Sequence, residues 1–359
     1  MGNATNQKIA IISPYLDILG GGERFLLIIA EFFSKDNLVT VFWNNENLRY
    51  ETKKKLGINI DKIGIEKLPS NFISLFRRLA HFDYLFYMTD GSLFFSPCSN
   101  SYLIIQSPAA YVPKKTFVNT IKLSRFKSII CYSQFVGKFI ESKLNKKVTI
   151  IPPPVLTDKF KPTNKENLII SVGRFFTRPH GKKQEILIEA FKKLHKLTEF
   201  KNWQLILIGS IDKGAKDYFD KIKKSAHGYP IKIIQNADIN ELSSYYGKAK
   251  IYWHAAGFGE DLSHFPEKAE HFGITTVESM SAGCVPLVFG AGGQTEIIKD
   301  GKNGFLWETP PELIEKTRQI IINKDQYIRL SKQAQIDSGV YSKEEFIRKI
   351  QKLINEDDN

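Results

Sequence analysis

The chain has 359 residues, 42% of them hydrophobic and 25% charged, a composition that excludes wholesale disorder and a length that suits two domains. Lys and Arg outnumber Asp and Glu by 51 to 38, and most of the net charge of +13 lies in the first 160 residues, which hold 21 basic and 12 acidic side chains. This balance favours an anionic partner such as a nucleic acid, a membrane surface or a phosphorylated substrate, although a lysine-rich surface that only aids solubility would look the same.

The sequence predicts neither a membrane span nor an exported protein. No uncharged apolar run reaches the about 18 residues that a spanning helix needs, and the first hydrophobic run reads as a strand rather than as a signal peptide. The three cysteines are scattered and fit neither metal-ligand spacing nor a disulfide framework. We therefore expect a cytoplasmic protein, with peripheral attachment to the inner face of the membrane left open.

Short apolar runs alternate with helical patterns along the chain. The runs predicted as strands in the first half are KIAIISP (8–14), LVTVFW (38–43), YLIIQSP (102–108), SIICYS (128–133) and VTIIPPP (148–154). After residue 154 the pattern restarts, with strands predicted over 168–174, 203–210, 231–236, 249–255 and 284–290. This alternation predicts two doubly wound α/β domains with parallel sheets, a boundary near residues 155–165 and a final amphipathic helix.

A glycine run, Gly20–Gly22, lies between the first predicted strand and the first predicted helix. Glycines at this point let the backbone approach a ligand, and the helix N-terminus offers N–H groups to phosphate. The run lacks the G-x-G-x-x-G dinucleotide fingerprint, which disfavours an NAD-dependent oxidoreductase. A plain tight turn would also explain it.

Two further segments carry residues suited to a nucleotide sugar. Arg174 ends a predicted strand and Lys182 or Lys183 opens the next helix, an arrangement that can hold a diphosphate although surface basic pairs are common. Glu270 and Glu278 lie eight residues apart. A helix that begins near Ile274 would contain Glu278 and leave Glu270 on the preceding loop, where carboxylates can accept hydrogen bonds from sugar hydroxyls.

Taken together, these segments resemble glycosyltransferase family 4, a group of retaining, nucleotide-sugar-dependent enzymes with the GT-B fold. The matching residues are Glu270-His271-Phe272-Gly273-Ile274, Glu278, Ala282-Gly283, Gly292-Gly293, Arg174, Lys182, Gly21-Gly22-Glu23-Arg24 and the linker Ile151–Val155. The resemblance implies two Rossmann-like domains facing a central cleft. The first, over 1–160, would take the acceptor and the second, over 161–340, the donor, while a C-terminal helix over 341–359 would pack back towards the first domain.

The resemblance also implies roles for individual residues. Arg174 and Lys182 would neutralise the donor diphosphate, which is also the leaving group. Glu270 would contact the donor sugar and Glu278 the nucleotide ribose. The remaining donor contacts would come from the backbone of Gly21, Gly22, Phe272, Gly273, Ile274 and Thr275.

The family needs no divalent metal and no other cofactor beyond the nucleotide sugar, and no Asp-x-Asp pair stands at a strand end here. The resemblance further implies that the leaving phosphate takes the acceptor's proton during same-face attack, which retains the anomeric configuration.

The acceptor side departs from the family. Many relatives carry a histidine where this chain has Gln106, in the segment Gln106-Ser107-Pro108, and Asp90 at another strand end is a candidate substitute. Glutamine can form hydrogen bonds but cannot titrate. His254 is either a satisfied strand-end residue or a ligand of donor or acceptor.

The Glu-His-Phe-Gly-Ile form of the motif resembles mannosyltransferases of lipid-linked glycan assembly, which implies GDP-mannose as donor. A UDP-sugar donor and a non-catalytic sugar-nucleotide-binding subunit remain alternatives. The expected acceptor is a glycan or a polyprenyl-linked glycolipid, and no nucleic acid is expected. The segment 71–87 would be either an interfacial anchor on an anionic membrane surface or an ordinary helix followed by a strand.

Overall fold

A computed structural model describes residues 6–17, 20–45, 47–109, 111–176, 181–212 and 214–358. The chain divides into two compact units. The first extends to Pro154 and includes the segment that begins at Lys343, and the second is Val155–Ser342. Within the described residues, none of the helices combines the length and the apolar character needed to cross a bilayer.

The first unit is built on a parallel sheet that has seven strands in the part of the chain described, in the order β3-β2-β1-β4-β5-β6-β7. The strands are β1 (Lys8–Ile12), β2 (Leu38–Phe42), β3 (Gly64–Glu66), β4 (Tyr84–Met88), β5 (Asn100–Ile104), β6 (Ser128–Cys131) and β7 (Thr149–Ile150). The helices are α1 (Gly21–Phe33), α2 (Leu48–Leu56), α3 (Phe72–Leu79), α4 (Phe117–Leu123) and α5 (Gln134–Leu144). The strand order reverses between β1 and β4, which is the topological switch point of this sheet.

The second unit repeats this plan with a parallel sheet of six strands over its described residues, ordered β10-β9-β8-β11-β12-β13. The strands are β8 (Glu166–Val172), β9 (Gln204–Gly209), β10 (Ile231–Gln235), β11 (Ala249–His254), β12 (Val285–Phe289) and β13 (Phe305–Trp307). The helices are α6 (Gln184–Leu194), α7 (Lys216–Ala226), α8 (Ile239–Lys248), α9 (Ile274–Ser281), α10 (Gln294–Ile297), α11 (Pro310–Ile322) and α12 (Lys324–Ser338). Its switch point lies between β8 and β11.

The last helix, α13 (Lys343–Asp358), belongs to the first unit. The ring of Phe346 packs edge-on against Phe25 of α1, with ring centroids 4.7 Å apart. Lys343 of α13 also forms an ion pair with Glu31 of α1. A buried aromatic contact and a salt bridge thus fix α13 to α1.

The central strands are apolar on both faces, as expected where helices cover a parallel sheet on both sides. In β1, Ile9, Ala10, Ile11 and Ile12 are all buried. The prediction of two doubly wound α/β domains is confirmed, and each predicted apolar run overlaps one of the observed strands.

Strands β3 and β13 were not predicted; they have only three residues each, which is too short for a readable alternation. Strand β4, which follows α3 after four residues, was predicted as one of the two alternatives for the segment 71–87. The local structure of 71–87 is therefore a helix followed by a strand.

Candidate active site

The carboxyl edge of the second sheet brings together residues from distant parts of the sequence. Strands β8 and β11 are parallel neighbours, so their carboxyl ends lie side by side at the switch point. Arg174 follows β8 and His254 is the last residue of β11. Ligands of open α/β sheets bind in the crevice at this position.

A three-residue network lies at this edge. The Lys182 Nζ donates a hydrogen bond to Glu270 Oε2 at 2.6 Å, and His254 Nε2 lies 2.9 Å from the same oxygen. The Lys182 and Glu270 side chains are each 15% exposed, and His254 is buried. The three residues come from the segment before α6, the end of β11 and the loop before α9, so tertiary folding alone brings them together.

His254 is a neutral hydrogen-bond donor in this network. Burial lowers the pKa of its imidazole below the ordinary 6.5, the charge of Lys182 acts in the same direction, and Glu270 opposes both. Because a carboxylate oxygen can only accept, the proton of the neutral ring belongs on Nε2. The other ring nitrogen, Nδ1, is buried and has no hydrogen-bond partner among the described residues.

Arg174 is oriented by two neighbours. Its guanidinium lies 3.1 Å from Asp212 Oδ2 and 4.7 Å from the centre of the Phe176 ring. Asp212 follows β9, so it reaches Arg174 from the adjacent strand of the sheet. The pair is partly exposed, which leaves the guanidinium accessible to an anion.

Helix α9 begins at Ile274 and contains Glu278, as the sequence predicted. The residue before it, Gly273, has φ of 121°, a conformation that favours glycine. The N–H groups that lack an intrahelical acceptor and the positive end of the helix dipole make such a helix start suitable for an anion. Glu278 is buried and accepts a 3.3 Å hydrogen bond from the Tyr246 hydroxyl.

Tyrosines from two elements support this helix. Burial, and next the charge of Glu278, hold the pKa of Tyr246 well above its ordinary value, so its hydroxyl stays protonated. The Tyr252 hydroxyl lies 2.8 Å from Thr275 Oγ1 in the first turn of α9. Tyr246 therefore fixes α9 relative to α8, and Tyr252 fixes its first turn relative to β11.

The loop after β12, which contains Gly292 and Gly293, packs directly on the backbone that carries Glu270. A Cβ at Gly292 would lie 2.3 Å from Glu270 O, and one at Gly293 would lie 2.5 Å from His271 O. The Gly293 amide also donates to Glu270 O at 2.8 Å. These contacts fix the backbone position of Glu270.

Gln294 follows the loop and is fully buried. Its Nε2 donates to Thr276 Oγ1 at 2.9 Å, whereas its Oε1 lacks a hydrogen-bond partner in the described part of the chain. A Cβ at Gly273 would lie within 3.0 Å of the Gln294 amide group. Glycine at 273 therefore makes room for Gln294 beneath the start of α9.

The segment between β11 and α9 is fixed by a second ionic cluster. Glu260 binds Lys183 Nζ at 2.5 Å and Lys268 Nζ at 2.6 Å. Hydrogen bonds from Lys183 and Lys268, together with the charges of the two lysines, lower the pKa of Glu260 against the opposing effect of burial. This cluster ties the start of α6 to the segment that precedes Glu270.

The first unit carries the remaining candidate residues. Gly21 and Gly22 form the first turn of α1, and a Cβ at Gly22 would lie 2.3 Å from Gln106 Oε1. Gln106, which follows β5, thus packs against this turn. The Gly20 amide donates to Glu23 Oε2 at 2.6 Å and closes the start of the helix.

Asp90 follows β4 and is exposed. Partial burial acts to raise its pKa, but hydrogen bonds from the Ser92 hydroxyl and amide together lower the pKa below the ordinary value. The Tyr15 ring, beyond the end of β1, lies 5.4 Å from that of Tyr111, and burial followed by Tyr111 and Asp90 raises the pKa of Tyr15. Tyr15 and Tyr111 were not anticipated from the sequence.

Of the predicted site residues, the structure brings Lys182 into contact with Glu270, and Gln106 into contact with Gly22. Arg174 contacts Asp212, which was not predicted. The roles assigned to these residues, and to Phe272, Gly273, Ile274, Thr275 and Glu278, stay predictions. Sequence reasoning missed Asp212, Tyr246, Glu260 and Gln294. Asp212 alone had a signal, since it follows a predicted strand at the ligand-binding edge. In the described part of the chain, no three His, Cys, Asp or Glu side chains converge as a metal site would require.

Comparison with known proteins identifies the class. The model of the family "Glycosyl transferases group 1" matches residues 156–337, just over half of the chain and all within the second unit. The chain belongs to this family and is a glycosyltransferase.

Two curated proteins are among the relatives of this chain. A GDP-Man:Man(3)GlcNAc(2)-PP-Dol alpha-1,2-mannosyltransferase of Dictyostelium discoideum is 25% identical over 209 residues, 54% of this chain and 38% of that protein. The alpha-monoglucosyldiacylglycerol synthase of Acholeplasma laidlawii is 26% identical over 249 residues, 63% of this chain and 57% of that protein. The matches therefore span well under two thirds of these relatives.

Among solved structures, Alr3699/HepE of Anabaena, in complex with UDP, superposes with a TM-score of 0.74 at 16% sequence identity. The match covers 98% of this chain and 100% of that one. The chain has the GT-B fold.

Proposed function

We propose that the protein is a metal-independent, retaining hexosyltransferase of glycosyltransferase family 4. It transfers a mannosyl residue from GDP-mannose to a glycan or a polyprenyl-linked glycolipid, in polysaccharide or glycoconjugate biosynthesis. The observation that carries the proposal is the network of Lys182, Glu270 and His254 at the switch point of the second sheet, next to Arg174.

The donor diphosphate binds at Arg174 and Lys182. Each cation is already oriented by a carboxylate, Asp212 for Arg174 and Glu270 for Lys182. Preorganised cations stabilise a developing negative charge without reorganisation at the moment of reaction. The start of α9 adds the positive end of its dipole on the same side of the sheet.

The sugar and the ribose contact the two glutamates. Glu270 shares one oxygen with Lys182 and His254, and its carboxylate accepts hydrogen bonds from donor-sugar hydroxyls. Glu278 accepts from the ribose hydroxyls and is held by Tyr246. Backbone groups of residues 272–275 complete the site at the start of α9.

Transfer breaks the bond between the anomeric carbon and the diphosphate oxygen, and the bonding electrons go to that oxygen. The acceptor hydroxyl forms the new bond on the same face, and its proton passes to the leaving phosphate. The products are the glycosylated acceptor and GDP, with the anomeric configuration kept. Arg174 and Lys182 stabilise the charge that develops on the diphosphate.

The choice of mannose is supported by the relatives and by one motif. Five of the eight similar curated proteins are named as GDP-mannose-dependent alpha-1,2-mannosyltransferases acting on a dolichyl-diphosphate glycan. The segment Glu270–Ile274 has the form that resembles such enzymes. A lipid-linked acceptor would also account for the basic first unit, which would then work close to a membrane surface.

A non-catalytic sugar-nucleotide-binding subunit is the second candidate, because Gln106 cannot act as an acid or base at neutral pH. One experiment separates the two. The purified protein is incubated with GDP-mannose, UDP-glucose or UDP-N-acetylglucosamine and a polyprenyl-diphosphate-linked glycan, and products are followed by mass spectrometry and by NMR of the new anomeric proton.

The proposal predicts transfer from GDP-mannose with retained configuration. Binding of a nucleotide sugar without transfer or hydrolysis would support the non-catalytic subunit. Transfer with only a UDP-sugar, or with inverted configuration, would overturn the donor or the mechanism.

A further inference from the structure

Helix α4 has a large apolar face that the described residues of the first unit leave exposed. Phe117 is 82% exposed, and Val118 and Ile121 are also exposed. At about 100° per residue these three side chains fall within one ~100° arc of the helix. The buried Leu123 lies on the opposite side, so α4 is attached to the core by one face and presents a second apolar face outward.

Helix α3 repeats this arrangement. Its buried anchor is Leu79, whereas Phe72 and Ile73 in the first turn are exposed. Arg77 lies on the same side of the helix as Ile73 and is also exposed. An apolar face with flanking arginine is typical of helices that lie at a membrane interface.

A bridge of contacts joins the two helices into one surface. Phe76 of α3 lies 6.0 Å from Phe72 and stacks on Phe95 at 6.3 Å, measured between ring centroids. The Arg125 guanidinium, just beyond α4, lies 5.3 Å from the centre of the Phe95 ring. We call this region, made of α3, Phe95, α4 and Arg125, the α3–α4 surface.

The charge of the chain around α4 has one sign, whereas Arg78 of α3 forms an ion pair with Glu66. Residues 91–140 hold six Lys or Arg and no Asp or Glu. Lys114 and Lys115, immediately before α4, are exposed, as is Arg125 after it. Basic side chains beside inserted apolar ones add about 1 kcal/mol each to binding of an anionic lipid surface.

The exposed aliphatic residues of the second unit have a different setting. Ile322, Ile328 and Ile336 on α11 and α12 are also exposed. Asp325 and Asp337 lie within three residues of them, among lysines and arginines. That mixed surface lacks the uniform positive charge of the segment 91–140 around α4.

We propose that the α3–α4 surface docks on an anionic lipid bilayer. Phe72, Ile73, Phe117, Val118 and Ile121 enter the boundary between headgroups and acyl chains, while the neighbouring Lys and Arg bind lipid phosphates. A second copy of the chain would bring like charges together in a symmetric contact, and nucleic acid would leave the aliphatic side chains exposed. This inference is independent of the donor sugar and of catalysis.

The test uses the full chain and vesicles of phosphatidylcholine with or without phosphatidylglycerol, separated by sedimentation. The unaltered protein is expected to sediment with the anionic vesicles only. The triple variant Phe117→Ser/Val118→Ser/Ile121→Ser should lose at least tenfold in partitioning. The matched control is Ile322→Ser/Ile328→Ser/Ile336→Ser, which should partition like the unaltered protein. Lys114→Gln and Lys115→Gln should each reduce partitioning about fivefold.

Folding of each variant is checked by its thermal unfolding. A Phe117→Trp variant provides a second measurement, because its fluorescence should shift to shorter wavelength when anionic vesicles are added. The proposal is overturned if the unaltered protein does not bind anionic vesicles, or if both triple variants lose vesicle binding equally. It is also overturned if the α4 variant changes only the sedimentation coefficient of the free protein. The last result would assign the surface to a second copy. Vesicle binding without any glycosyl transfer would leave this inference standing and contradict only the proposed function.

Discussion

The two units share one strand order but differ in the chemistry of their carboxyl edges. At the switch point of the second sheet lie Lys182, Glu270 and the neutral His254, with Arg174 beside them. The corresponding edge of the first sheet presents Gly22 packed on Gln106, with Asp90 at the end of β4. The fold therefore determines where ligands can bind, and the side chains determine which ligand each edge takes.

The glycines at the two edges also differ in what they contact. Gly293 of the second unit lies against backbone, since a Cβ there would be 2.6 Å from Phe272 Cα. Gly22 of the first unit lies against the end of the Gln106 side chain, which can move. The second edge is consequently rigid where it supports Glu270, and the first can adjust.

The largest difference between the edges should appear in catalysis. Lys182→Met removes a preorganised cation from the diphosphate site and should lower kcat about 100- to 1000-fold. Steady-state kinetics with saturating donor measure this loss. Lys183→Met is the matched control, because it removes the adjacent ion pair to Glu260 and should change kcat only a few-fold. Equal losses of kcat in both variants would contradict the assignment of Lys182 to the diphosphate site.

The glycine contrast predicts a difference in stability. Gly293→Ala should lower the free energy of unfolding by about 1–3 kcal/mol, because the new methyl group collides with the backbone of His271 and Phe272. Gly22→Ala should cost less, because Gln106 can move away and alanine is favoured in a helix. Urea unfolding of both variants tests this, and a larger loss for Gly22→Ala would contradict it.

Gln106, at the carboxyl edge of the first sheet, should affect the acceptor only. Gln106→Ala removes a neutral hydrogen-bonding group and should lower kcat/KM for the acceptor up to about tenfold. Donor hydrolysis without acceptor should be unchanged. Gln351→Ala, at an exposed site on α13, serves as the control. A loss of donor affinity in the Gln106 variant would assign this residue to the donor instead.

The smallest predicted effect is the pH dependence of stability due to His254. Its pKa in the folded protein lies below 6.5, so as pH falls below 6.5 the unfolded chain takes up a proton that the folded chain does not. The free energy of unfolding should therefore decrease on acidification, by at most about 1.4 kcal/mol per pH unit from this one group.

His254→Gln keeps a donor towards Glu270 but does not titrate, so it should weaken that dependence. Urea unfolding of both proteins between pH 7 and about pH 5 isolates His254, since the other six histidines are common to them. Parallel curves would show that His254 is not buried in its neutral form.

Local patterns made much of the fold predictable. The apolar runs located most strands, and the glycine before Ile274 located the start of α9. The contacts that build the site were not predictable, because Lys182 and Glu270 are 88 residues apart in sequence and His254 shows no pattern that points to Glu270. Asp212 pairs with Arg174 only because β8 and β9 are neighbours in the sheet. Such contacts depend on tertiary packing rather than on local sequence.

Thermal unfolding with added nucleotides, GDP and GDP-mannose beside UDP and UDP-glucose, tests the proposed donor site most directly. A ligand at about 100 times its Kd should raise the free energy of unfolding by about 2.7 kcal/mol. We predict that GDP compounds stabilise the unaltered protein and Gln106→Ala alike, and stabilise Arg174→Ala and Lys182→Met much less. Stabilisation retained in the Arg174 and Lys182 variants but lost in Gln106→Ala would place the donor on the first unit and contradict the account.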